Sequence, residues 1–169
     1  MTQLKVIALL SATLISSTSA FAFEITGSNG TRLTAEPIVS FGSPWAMTIL
    51  PDGRLLITEK SGEIHLLSSD GKKSARVRNV PKADVGGQGG MGDIVLHPDF
   101  ASNQQVYFSF VEAGSNNTRG AVVARAKLVE KSGAPVFENT EIIWRQAPKV
   151  SGRGHYSHRI AFAPDGKIF

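Results

Sequence analysis

An all-β fold of repeated blades is what the sequence predicts, on three observations. Apolar residues recur with a period of two, best seen in Ala121–Leu128, and clusters of Gly, Pro, Asp and Ser separate the short apolar runs. Nowhere does helical apolar spacing persist over three turns. A strand, Pro-Asp turn, strand unit also returns three times along the chain.

The elements follow in order. Residues 1–22 read as an export leader: Lys5 supplies a positive start, Val6–Ile15 an apolar stretch, and Ala20-Phe21-Ala22 a small-residue cleavage signal. The mature chain, 23–169, is therefore expected to begin at Phe23 and to reach the periplasm or the exterior. The leader's apolar run falls short of the ~20 residues that a membrane span needs, and no later segment exceeds it. With no cysteine anywhere, disulfides, thiolate catalysis, thiolate metal sites and iron–sulfur clusters are excluded, so stability must come from the core.

Strands are predicted at Trp45–Leu50, Arg54–Glu59, Glu63–Leu67, Asp93–His97, Gln105–Glu112, Ala121–Leu128, Glu141–Arg145 and Arg159–Ala163. In Ala121–Leu128, Val122, Ala124, Ala126 and Leu128 share one face, and Arg125 and Lys127 lie on the other. The turns at Pro51-Asp52-Gly53, Pro98-Asp99 and Pro164-Asp165-Gly166 have a common chemistry. Pro presets φ, Asp bonds its own backbone, and Gly takes positive φ. These prolines stand 47 and 66 residues apart, comparable with the ~40–50 residues of propeller repeats once inserted loops are allowed. A β-propeller closes with ~4–8 four-stranded blades, so this chain holds material for two blades and part of a third. Lys167-Ile168-Phe169 is expected to begin a strand with an apolar edge, as in a truncated array.

Charge argues against a nucleic-acid partner. The formal net charge of +4 becomes +3 once Lys5 leaves with the leader, and the basic cluster Lys72, Lys73, Arg76 and Arg78 has no aromatic stacking series beside it. It reads as a solvated hairpin end.

Among the histidines, His155 stands in a glycine-rich loop, Gly152-Arg153-Gly154-His155, at the mouth of a strand, where a titratable imidazole suits proton transfer, although a histidine in such a loop is more often a surface or hydrogen-bonding residue. His158 lies three residues on. That spacing faces one way only on a helix, so the pair is not expected to bind a metal. His65 is expected to point to solvent and His97 to bond backbone beside its turn. Trp45 and Trp144 are expected to pack in the core or between blades. Gln88, in Gly86-Gly87-Gln88-Gly89-Gly90, offers an amide that both donates and accepts, although a flexible turn accounts for the composition as well. The loop lacks the pattern of a phosphate cradle.

Three segments, Pro44–Glu59, Gly86–Phe100 and Gly154–Gly166, taken in order, resemble the soluble, pyrroloquinoline quinone (PQQ)-dependent glucose/sorbosone dehydrogenase family, especially its periplasmic aldose sugar dehydrogenases. The likeness runs from about Glu36 to the last residue. It implies a six-bladed propeller holding PQQ with help from calcium and oxidising the C1 hydroxyl of an aldose to the lactone, with an external electron acceptor and with a homodimer left open. By resemblance His155 is the general base and Gln88 contacts cofactor and sugar, whereas most cofactor and calcium ligands are expected beyond residue 169. Two departures stand out: Gly154 replaces the acid that glucose-dehydrogenase relatives often carry before the histidine, and His158 replaces a glycine before Arg159. The alternatives are a calcium-dependent propeller lactonase, which needs grouped inward Asp, Asn and Glu, and a truncated propeller without catalysis.

Overall fold

The computed structural model describes residues 22–169; the leader lies outside them apart from Ala22. The described chain has two units, divided after Ile38. In the first, β1 (Phe23–Thr26) pairs antiparallel with β2 (Arg32–Ala35) in a hairpin. The sequence reading did not predict it.

The second unit, Val39–Phe169, is built of two antiparallel sheets of the blade type. The first runs in order through β3 (Pro44–Ile49), β4 (Leu55–Glu59), β5 (Ile64–Leu67) and β6 (Ser74–Arg76). In the second, β7 (Met91–Leu96), β8 (Gln105–Ala113), β9 (Thr118–Lys131) and β10 (Ala134–Arg145) follow one another, and β11 (Val150–Ser151) pairs with the start of β9. The one helix among the described residues is α1 (Phe100–Asn103).

Packing joins the sheets. Leu56, Ile64, Met91, Ile94, Val106, Phe108, Phe110, Val122, Ala124 and Phe137 form a continuous buried cluster. Phe108 stacks near-parallel on Phe137 with centroids 5.2 Å apart. The predicted inner face of β9 is buried throughout, at 0% exposure for Val122 and Ala124. Backbone also crosses between the blades, since Arg78 N–H donates to Pro135 O at 2.9 Å and Phe137 N–H to Arg78 O at 3.0 Å.

The Pro-Asp turns behave as their chemistry requires. Asp52 Oδ1 accepts from Arg54 N–H at 3.1 Å, Asp165 Oδ1 accepts from Lys167 N–H at 3.2 Å, and Gly53 and Gly166 take φ of 83° and 82°. The middle turn differs, because Pro98-Asp99 leads into α1 before β8 begins. His97 bonds backbone as expected, its Nδ1 accepting from Asp99 N–H at 3.0 Å.

Several expectations need correction. Arg159–Ala163 is no regular strand: it meets Lys167–Phe169 in a short hairpin through Ala161 N–H to Phe169 O (2.8 Å) and Ala163 N–H to Lys167 O (2.8 Å). Trp45 and Trp144 are half exposed, at 50% and 53%, rather than core residues. His65 does not face solvent. Its ring packs on Phe41, and Nε2 lies 3.5 Å from Glu59 and 3.3 Å from Glu63, since those acids flank it across β4 and β5. The three could offer ligand atoms within 4.8 Å of one another, but their acids are already engaged: Glu63 pairs with Arg76 at 2.8 Å, and the Ser43 N–H that Glu59 accepts holds the Glu59 carboxyl below its usual range.

Candidate active site

The turns and the glycine loops occupy opposite ends of the second blade. The long strands β7 to β10 run between the end that holds Pro98-Asp99 and α1 and the end where Asp84–Gly90 and Gly152–His158 meet. The first of these loops enters β7; the second follows β11.

Five contacts hold these loops together. Gln88 N–H donates to Arg153 O at 2.9 Å. The Arg153 guanidinium donates back to Val85 O and lies 3.6 Å from Asp84. Arg119, at the start of β9, donates Nε to Asp84 Oδ2 at 2.7 Å and Nη1 to Gly152 O at 3.0 Å. Such closeness needs a glycine at position 87, where φ is 57° and a Cβ would stand 2.4 Å from Arg153 O.

Gln88 and His155, the two residues singled out by sequence, thus stand on loops hydrogen-bonded to each other although 67 positions separate them in the chain. Both side chains are exposed, and the space over Gly152 and Gly154 is open, with nothing within 4 Å of an added Cβ. Among the described residues the His155 ring has no hydrogen-bond partner, and Gly154 before it offers no side chain to orient the imidazole. Arg159 extends an 83% exposed side chain with Nη1 3.6 Å from Asp93.

Sequence reasoning missed the scaffold. Asp84 and Arg119 lie 35 residues apart, and neither neighbourhood announces the other. The usable signal is weak: Arg119 interrupts a run of β9 whose other members, Gly120–Val122, are buried. His158 is likewise buried, at 8%, beside a shallow hollow of about 190 Å³ lined by Trp45, Ala46, Asp93, Ser157, His158 and Arg159.

Comparison with known proteins places this arrangement. The glucose/sorbosone dehydrogenase family profile matches residues 41–169. The chain belongs to that family. It is 34% identical over 127 residues to the aldose sugar dehydrogenase YliI of Escherichia coli (strain K12), covering 75% of this chain and 34% of that protein. A glucose dehydrogenase crystal structure superposes with a TM-score of 0.69 at 35% identity, over 74% of this chain and 36% of that one. The PQQ-bound form of an aldose sugar dehydrogenase from Streptomyces coelicolor gives 0.61 at 28% identity, over 76% and 37%. The chain spans about a third of the length of these relatives. Its two sheets are blades of the β-propeller fold of this dehydrogenase family, as the repeats predicted.

Proposed function

We propose that this chain supplies the Gln88 and His155 loops of an exported dehydrogenase that oxidises aldoses at C1 to lactones with PQQ. The observation that carries the reading is the Gln88 N–H bond to Arg153 O at 2.9 Å, which joins the two loops bearing the family's matched residues.

The donor set suits such a ligand. An exposed amide and imidazole stand beside open space, and the Arg153 and Arg159 guanidiniums add positive charge that an acidic quinone would meet favourably. PQQ, when bound, would supply the acceptor for the hydride leaving C1. His155 takes the hydroxyl proton at a ring nitrogen, so the alcohol carbon becomes a carbonyl as hydride and proton depart. Gln88 orients the sugar or quinone oxygens through its N–H and C=O groups. Calcium does not suit these loops. Asp84, the one carboxylate in the two loops, is paired with Arg119 and Arg153, and the oxygens of nearby Asp93 on β7 accept Ile94 N–H and Ile160 N–H, which leaves no free carboxylate there for the cation.

The test is aldose-dependent dye reduction by the exported protein from its native source, with PQQ and calcium added and the intact mass measured alongside. Sugar-dependent reduction that requires PQQ supports the proposal; no reduction with any aldose in the presence of both overturns it. Gln88→Ala is expected to weaken cofactor or sugar affinity by up to about tenfold, the worth of one good hydrogen bond, with kcat little changed. Unchanged affinity for both would remove Gln88 from the site.

A further inference from the structure

His158 is buried three residues after His155, and its surroundings give it a distinct task. Ser157 and His158 both have φ of 63°, and His158 N–H folds back to Tyr156 O at 2.8 Å, so the chain turns sharply inward three residues after His155. The imidazole enters the second blade over Gly92, where a Cβ would lie 2.2 Å from Nδ1. Only glycine there admits the ring. Ser109 Oγ, on β8, meets Nδ1 at 3.2 Å and donates to His158 O at 2.9 Å, and it also accepts Asp93 N–H at 2.9 Å. Asp93 then accepts Ile160 N–H at 2.8 Å, which fastens the chain on the far side of His158. Trp45 meets the ring edge-on with centroids 6.2 Å apart.

We propose that His158 is a positioning residue that anchors the His155 loop to β7 and β8, beside the Gln88 loop, while its ring is uncharged, and that protonation of this ring loosens the alignment of His155 with Gln88. The proposal rests on the reading of these loops as the dehydrogenase site.

The electrostatics agree with the geometry. Among the described residues, the charged or titratable groups facing the ring are Asp93 from β7 and Tyr156 and Arg159 from its own loop; β8 presents Ser109 and β3 presents Trp45, both uncharged. No carboxylate is hydrogen-bonded to either ring nitrogen, since both Asp93 oxygens are occupied by backbone N–H groups. Burial therefore pushes the His158 pKa below the usual histidine value, only partly opposed by the Gln88 backbone and the Asp93 charge. The sign follows from linkage. The folded state binds this proton less readily than the unfolded chain, so the anchoring is complete above the ordinary histidine value of about 6.5 and is lost as pH falls below it.

The experiment is amide hydrogen exchange on the protein between pH 8 and 5, corrected for intrinsic exchange and read at Gln88 and Ile160, in the wild type, His158→Asn and His158→Gly. Asn tolerates positive φ and keeps a polar group for Ser109 without titrating; Gly keeps the turn and removes the ring. Wild-type protection at both amides is expected to fall at least tenfold on acidification, the Asn variant to stay flat, and the Gly variant to be low throughout. If the Asn variant fails to fold, the Gly variant decides: the same acid step without the ring overturns the proposal. Flat wild-type protection, or an acid step retained in the Asn variant, also overturns it. The exchange result and dye reduction are independent readouts: an acid step without sugar oxidation refutes the dehydrogenase reading and with it the catalytic meaning of the anchor, whereas oxidation with flat protection refutes the anchor alone.

Discussion

His155→Ala is expected to lower sugar turnover by about 10²- to 10⁴-fold, the usual contribution of a positioned general base. The fold should survive. His155 is exposed, its ring has no internal hydrogen bond among the described residues, and surface changes of this kind cost within about 0.5 kcal/mol. The measurement is steady-state dye reduction on the isolated protein beside a denaturant unfolding curve. A loss in kcat and kcat/KM alike, with the unfolding midpoint unmoved, marks an interaction made in the transition state. A rate near that of the wild type would strip His155 of its role.

Arg119→Ala is expected to destabilise the second unit by about 3–5 kcal/mol, because it leaves the Asp84 carboxylate without its closest cation in a largely buried place. The guanidinium side chain is 6% exposed and that of Asp84 15%. Three acceptors also lose a donor: Asp84, Gly152 O at 3.0 Å and Asn117 Oδ1 at 2.8 Å. Urea unfolding followed by tryptophan fluorescence reads the effect, since both tryptophans lie in this unit. A loss under about 1 kcal/mol would mean that water replaces the guanidinium without strain, as at exposed ion pairs.

The fold was legible where local chemistry decides it. Val122, Ala124, Ala126 and Leu128 alternate because one face of β9 is buried, and a period of two records that burial directly. Asp52 and Asp165 bond the backbone two residues on, an interaction wholly contained in the turn that displays it. The hairpin β1–β2 escaped because Phe23–Thr26 and Arg32–Ala35 are only four residues each and largely exposed, so their alternation is too short to stand out and records no burial. Trp45 was misplaced because a large aromatic residue on a strand usually packs inward, whereas β3 turns Trp45, Met47 and Ile49 outward together.

At the site, the resemblance supplied Gln88 and His155, but their supports left only a faint trace in the residue order. The Asp84–Arg119 pair and the Gln88–Arg153 bond join residues 35 and 65 positions apart, and such contacts arise only when whole strands stack. His158 was visible in the sequence as a second histidine three residues after His155. Its burial was not, because the space it fills is made by Gly92, 66 residues earlier.

The separation of turns from glycine loops has a practical side. Ser132-Gly133, with φ of 51° and 72°, caps the β9–β10 hairpin at the end remote from Arg119, and nothing stands within 4 Å of a Cβ added at Gly133. Roughly 40 Å of strand, at ~3.3 Å per residue, lies between that tip and the chemistry. A fluorophore or affinity handle inserted there would report on the protein from outside its working end, leaving Gln88, His155 and the bonds between their loops undisturbed.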